Sequence, residues 1–146
     1  MRTLTWRSIL SSGKITVGDT RRNHIQDFTL SRAPVNSAAA LLIMDARNVD
    51  HEKSFVTINQ ANPAALDDIS HDEAKSHDWF VSRIPSTGSK YTMLIHRIKP
   101  GVLRDGANHF GVHARSSTGI SKATTAVNLD DFHVARVFVV YTTEEN

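Results

Sequence analysis

Histidine and the acidic residues are the side chains of this sequence with the widest chemical reach, and their spacing decides what they can do together. Eight histidines, His24, His51, His71, His77, His96, His109, His113 and His133, invite a metal-site reading. His109 and His113 share one face of an alternating stretch, but four residues of extended chain set them about 13 Å apart, too far to hold one zinc ion. The position between them on that face is Gly111. The chain has no cysteine, so disulfides, thiolate metal sites and cysteine nucleophiles are excluded together. Hard oxygen donors gather in two places: Asp45, Asn48, Asp50 and Glu52 along one segment, and Asp130 with Asp131 ahead of the last apolar run. Drawn from two loops, such donors suit calcium, although the spacing is not that of an EF-hand. Asp130 and Asp131 equally suit a turn closed by Asx-type hydrogen bonds.

Catalytic signatures are missing. The sequence has no Gly-x-Ser-x-Gly elbow, no phosphate-cradling glycine loop and no His-Glu-x-x-His helix. A carboxylate pair for glycoside cleavage is defined by a separation that sequence does not supply. The expectation is a chain that binds rather than catalyses. Trp79 and Tyr91 are the aromatic residues to consider for stacking on a ligand, although apolar neighbours on the same strand faces favour core packing for both. Trp6 shares a face with Leu4 and Leu10 and is assigned to the core. Arg115 opens a polar segment, 115–128, whose Ser, Thr and Gly content suits contact with a partner.

These residues need a scaffold, and composition points to an ordinary one. The 146 residues are 40% hydrophobic and 22% charged, which suits one soluble domain with one core. Seventeen Lys and Arg against fifteen Asp and Glu leave a formal charge of +2. No basic run exceeds Arg21-Arg22 and no aromatics are interleaved with basic positions, so a nucleic-acid surface is not expected. No segment approaches the ~20 apolar residues of a membrane helix, and residues 1–14 lack the apolar stretch of a signal peptide. A soluble chain without a visible export signal is expected.

Periodicity then assigns elements. Residues 3–10 read as a strand, 11–14 as a turn and 15–17 as a short returning partner. Residues 24–30 form a further strand. The apolar run 39–49 is read as a strand paired with 54–59 across the loop 48–53. Within 60–78, Ser70 and Glu73 fit a capping box that starts a helical turn or two. Residues 79–85 and 91–98 are extended, the latter with Tyr91, Met93 and Ile95 on one side. In 106–115, Phe110, Val112 and Ala114 alternate with His109, Gly111, His113 and Arg115, the pattern of a half-buried strand. Residues 134–141 are apolar at nearly every position and rich in β-branched side chains, which places them at the centre of a sheet covered on both faces. Eight or so strands between turns predict an all-β chain, a single antiparallel β-sandwich domain over 1–146 of jelly-roll type, with at most one short helix.

Four stretches carry a family likeness. LLIMDARNVDHEKSFVTIN resembles paired strands that carry a polar loop and end in an Asn. WFVSRIP followed by VLRDGANHFGVHAR resembles an aromatic strand, an entry of leucine, turn, glycine and asparagine, and the strand after it. LDDFHVARVFVVY resembles a last strand introduced by acidic residues. Together, over roughly residues 39–141, they resemble the galactose-binding-like jelly roll used by many carbohydrate-binding modules. The resemblance implies a non-catalytic module that recognises sugar through end loops or a sheet face, and a structural calcium ion. On that basis Trp79, Tyr91, Asn48 and Arg115 are the ligand-binding candidates, and Asp50, Asp130 and Asp131 the calcium candidates. The same architecture also builds structural subunits. The alternative expectation is self-assembly into an oligomer, fibre, filament or capsid-like shell through strand edges, with residues 1–10 as a donated strand.

Overall fold

Alternation in the sequence survives as alternation in space. Ala40, Leu42, Met44 and Ala46 are buried, while Leu41, Ile43, Asp45 and Arg47 point the other way. The computed structural model describes residues 1–60, 70–75 and 79–145. Along the described residues the elements are β1 (Arg2–Val17), β2 (Asn23–Leu30), β3 (Ala40–Arg47), β4 (Phe55–Ile58), α1 (His71–Ala74), β5 (Phe80–Arg83), β6 (Thr92–Ile98), β7 (Gly106–His113) and β8 (Phe132–Glu144). Ser70 caps α1 as expected, its hydroxyl accepting from the Glu73 backbone N–H. The remainder of the predicted helical segment lies largely outside the described residues.

The strands form two antiparallel four-stranded sheets. Sheet A runs β1-β8-β3-β6 and sheet B runs β2-β7-β4-β5. Every connection except the one between β4 and β5 crosses from one sheet to the other, and this interleaving is the jelly-roll form of β-sandwich. The inward faces meet in one core that includes Leu42, Met44, Val137 and Val139 from sheet A and Val56, Ile58, Phe110 and Val112 from sheet B. Burying each such side chain is worth about 1.5–3 kcal/mol. An exposed ion pair such as Arg32–Glu145 is worth about 1 kcal/mol at most, so the core decides the fold.

Three expectations are corrected. Residues 3–17 form one strand, not a hairpin. The Ser11-Ser12-Gly13 turn chemistry is absorbed as a bulge against β8, between the pairs Leu10↔Val137 and Lys14↔Ala135, with Gly13 in the left-handed region at φ 75°. The segment read as donatable, 1–10, is thereby paired within its own sheet. β3 and β4 do not pair, because the chain leaves β3 through Asn48 at φ 63° and crosses to the opposite sheet, where β4 lies between β5 and β7. Finally, β8 is central in sheet A, between β1 and β3, but is covered on one face alone. Phe138 and Val140 project from the other face and line an open groove.

The motif residues of the 102–108 turn explain themselves structurally. Val102 and Leu103 plug into the core. Asn108, fully buried, accepts from the Arg104 N–H at 2.9 Å and donates to the carbonyls of Arg104 and Gly106 at 2.8 and 3.0 Å. Asn59, at the end of β4, donates to the Asn108 side chain and to the Val102 carbonyl, both at 2.8 Å, and accepts from the His109 N–H at 2.9 Å. Two buried asparagines thus hold the backbone of an otherwise exposed turn from its inner side. Replacing Asn108 with Ala is expected to cost about 2–3 kcal/mol in urea denaturation, because several buried groups lose their partners at once. A loss well under about 1 kcal/mol would show that the turn is held by other means.

Candidate functional site

The polar face of β7 is closed to solvent at its C-terminal end, Gly111 and His113, while His109 stays partly exposed. His113 is fully buried, with Nδ1 2.8 Å from Asn23 Oδ1 and Nε2 2.9 Å from the Thr57 hydroxyl. Its ring stacks on Phe55 at 4.8 Å between centroids. Phe55 and Ala74 form a second small apolar cluster with Trp79 and Val81, and this lid lies over sheet B. Burial, and then the Arg115 charge, hold His113 well below the ordinary histidine range, so it is neutral. Arg115 is itself fully buried. It donates through Nη1 to Asn23 Oδ1 and the Ala114 carbonyl and sits 4.9 Å from the Phe55 ring centroid. Sequence read the strand as half-buried and Arg115 as the mouth of a contact loop; the structure keeps His109 partly exposed but makes His113 and Arg115 interior, because the cluster of Phe55, Ala74, Trp79 and Val81 covers that end of the face.

The acidic candidates hold backbone. Asp130, buried, accepts from the Asp50 N–H at 3.0 Å, and desolvation raises its pKa. Asp131 accepts from the Asp19 N–H at 3.0 Å, while Asp19 accepts from the Leu129 N–H at 2.6 Å. The two carboxylates therefore serve different segments, and the Asp50 side chain is exposed. Among the described residues no group of three or more His, Asp or Glu is placed to hold a metal ion. Asp50, Asp130 and Asp131 are not gathered into a calcium cage. His77 lies outside the described residues. His109 pairs with Asp27 at 2.7 Å, far from any metal geometry. Asn48 is half-buried at its turn, with its N–H donating to the Gly88 carbonyl.

The aromatic candidates divide. Tyr91 lies on the outer side of sheet A, where the guanidinium carbons of Arg47 and Arg136 stand 4.8 and 5.2 Å from its ring centroid and Arg136 is ion-paired with Asp45. Its ring is already engaged. Trp79 lines a groove of about 230 Å³ with Phe80, Val81, Lys75, Arg97 and Lys99. That groove runs where β5 and β6, edge strands of the two sheets, face each other, tied by Ser82 Oγ to His96 Nδ1 at 2.8 Å.

Trp6 is the residue sequence reasoning placed wrongly. It is 68% exposed, beside Phe138 in an edge-to-face contact at 6.1 Å, over a groove of about 420 Å³ lined by Leu4, Thr5, Trp6, Phe138 and Val140. Met93 and Ile95, also assigned inward, are 64% and 57% exposed, and Leu94, His96 and Ile98 take the inner positions of β6. The cross-strand register lines up Trp6, Val140 and Leu41 in one row and Phe138, Ile43 and Ile95 in the next. The outer face of sheet A is thus apolar through its middle, with one row ending in Arg97 on β6 and the other in Ser8 on β1.

No protein-family model and no curated protein sequence matches the chain. Among solved structures it is similar to the carbohydrate-binding module of Cellvibrio mixtus lichenase 5A in complex with cellotriose, at 16% identity over 89% of this chain and 96% of that one, TM-score 0.39. It is also similar to an exo-β-1,3-galactanase of Phanerochaete chrysosporium, at 13% identity over 91% of this chain, TM-score 0.39, and spans 26% of that chain's length. A third is the structure of infectious bursal disease virus, Gx strain, at 7% identity over all of this chain and 33% of the other, TM-score 0.43.

Two expectations follow for the interior. A Cβ on Gly111 would stand 2.4 Å from Thr57 Oγ1 and 2.5 Å from His113 Nε2; Gly111→Ala is expected to destabilise by about 1–3 kcal/mol in a denaturant titration. The second concerns pH. Burial holds His24, His71, His96, His113 and His133 below the ordinary value of 6.5. The unfolded chain therefore takes up protons that the native state refuses, so stability is complete above that value and declines as pH falls below it. His113 alone contributes about 1.4 kcal/mol per pH unit in that range. Equal stability at about pH 5 and about pH 7.5 would contradict this; His113→Gln should lower stability at neutral pH and flatten the slope.

Proposed function

We propose that the chain is a non-catalytic carbohydrate-binding module whose ligand carries acidic groups and lies in the groove between β5 and β6, stacked on Trp79. The observation that carries this reading is the company Trp79 keeps: an indole beside Phe80 and Val81, with Lys75, Arg97 and Lys99 on the same groove. Sugar recognition needs an aromatic plate for the apolar face of the ring and polar groups for its substituents, and this groove supplies both. Its charged members are all cations. Lys75 shares an exposed contact with Asp72 at 3.5 Å, whereas Arg97 and Lys99 meet no carboxylate among the described residues. A uronate or sulfated sugar answers that imbalance better than a neutral one. Glycoside cleavage needs two carboxyl groups flanking the bond, and the described lining contributes none.

The test is affinity electrophoresis through gels containing polygalacturonate or a neutral galactan, beside a glycan array. Retention is expected on the acidic polymer and is expected to weaken as salt rises. Arg97→Ala and Lys99→Ala, both at exposed positions, should each weaken retention several-fold without changing the melting temperature. Trp79→Ala should abolish it. A blank array together with unretarded migration in both gels removes the reading.

A further inference from the structure

The outer face of sheet A is the largest feature that the groove at Trp79 does not use. Leu4, Trp6, Met93 and Ile95 are each more than half exposed, and Phe138, Val140, Leu41 and Ile43 fill the space between them. Single exposed apolar residues are normal on a protein surface, but a continuous field across four strands is not. We infer that this face packs against the same face of a second copy of the chain, sheet on sheet.

Four physical points favour that occupant. The first is composition. The centre is Trp, Phe, Leu, Ile, Met and Val, the residues of an interface core, and the polar members of the two central rows, Ser8 and Arg97, stand at the ends of those rows. The second is arrangement: the charged group of Arg47, Asp45, Arg136 and Tyr91 stands at one end of the face, where a rim remains wet. The third is size. Four strands and four rows of outward side chains span about 19 Å by about 27 Å, or about 500 Å² per copy, so two copies bury about 1,000 Å², the lower bound for a specific complex. The fourth is the edge. Pairing through β1, one of the two edges of sheet A, is opposed by its bulge between Ser8 and Lys14 and by Arg2 and Arg7. Two twisted sheets can stack face to face with their strands within about 30° of each other.

The experiment is sedimentation equilibrium over a concentration series, with Ile95→Lys as the disrupting variant. Ile95 is 57% exposed at the middle of β6, so the monomer fold tolerates the change, and an unaltered circular dichroism melt checks this. The wild type is expected to reach twice the chain mass of 16.2 kDa at micromolar concentration, and Ile95→Lys to weaken association about tenfold or more. The chain has two tryptophans. In a Trp79→Phe background the remaining Trp6 emission should therefore shift to the blue as the protein is concentrated. A wild type that stays monomeric to millimolar concentration overturns the inference. So does a dimer indifferent to Ile95→Lys, which would mean edge pairing. A Trp6 emission that responds to oligosaccharide and not to the protein's own concentration overturns it as well, because the face would then hold sugar.

Discussion

The register of β8 is the constraint on which the rest of the molecule depends. It is paired with β1 on one side and β3 on the other, so a slip of one residue would turn the whole set of side chains over. Its sequence is apolar on both faces, and periodicity alone therefore does not choose between them. The choice is made at Arg136, where φ is 46° and the pairing with β3 jumps from Ile43↔Phe138 to Asp45↔Ala135. Before the bulge Phe132 and Val134 face inward; after it Val137, Val139, Tyr141 and Thr143 do. A left-handed residue costs about 1–2 kcal/mol. The exposed ion pair of Arg136 with Asp45 returns at most about 1 kcal/mol. The larger compensation is the inward burial of three large side chains, each worth about 1.5–3 kcal/mol.

The two sheets are then finished differently. Sheet B has part of its outer face, around His113 and Arg115, covered by Phe55, Ala74 and Trp79 over a set of buried polar groups, and each of these groups would be costly without partners. Asn23, Thr57 and Ser54 provide them for His113 and Arg115. Sheet A has no such lid among the described residues. The two tryptophans differ in exposure for this reason: Trp79 belongs to the lid of one sheet and Trp6 to the bare face of the other.

Much of this architecture was legible in the sequence. The strand expected at 24–30, the Ser70 cap and the all-apolar run at 134–141 each correspond to an observed element, and the Asn59 and Asn108 motifs sit at a turn they visibly hold. What was hidden is which side of a strand faces in. Leu4 and Trp6 alternate with Thr3 and Thr5 as a core strand should, yet it is Thr3 and Thr5 that share the inner face with Tyr141 and Thr143, and the hydroxyls of Thr5 and Thr143 stand 3.0 Å apart. A threonine pair inside and a tryptophan outside reverses the usual inference. Arg115 was hidden for the opposite reason. Its charge argued for solvent, and the two groups that hold it from a distance, the Phe55 ring and the Asn23 side-chain oxygen, are remote in sequence, the latter 92 positions away. The pairing of β3 with β4 was misread because a short loop between two alternating runs has the local signature of a hairpin, whereas the left-handed turn at Asn48 sends the chain to the other sheet.

β6 joins the two surfaces. Its outward residues alternate Met93, Ile95 and Arg97; the first two belong to the apolar face, and the third ends the row of Trp6, Val140 and Leu41 and also lines the groove of Trp79. A side chain at that corner is wetted by both surfaces and buried by neither, a suitable place for a guanidinium whose stem can lie along apolar neighbours. Face-to-face association of two sheets would leave each Arg97 at the rim and both grooves open on the same assembly. A polymeric acidic ligand could then be held at two points, and the second attachment would be governed by the distance between the grooves, not by any new contact. Even weak recognition at each groove would in that arrangement be sufficient for a firm hold on a long chain.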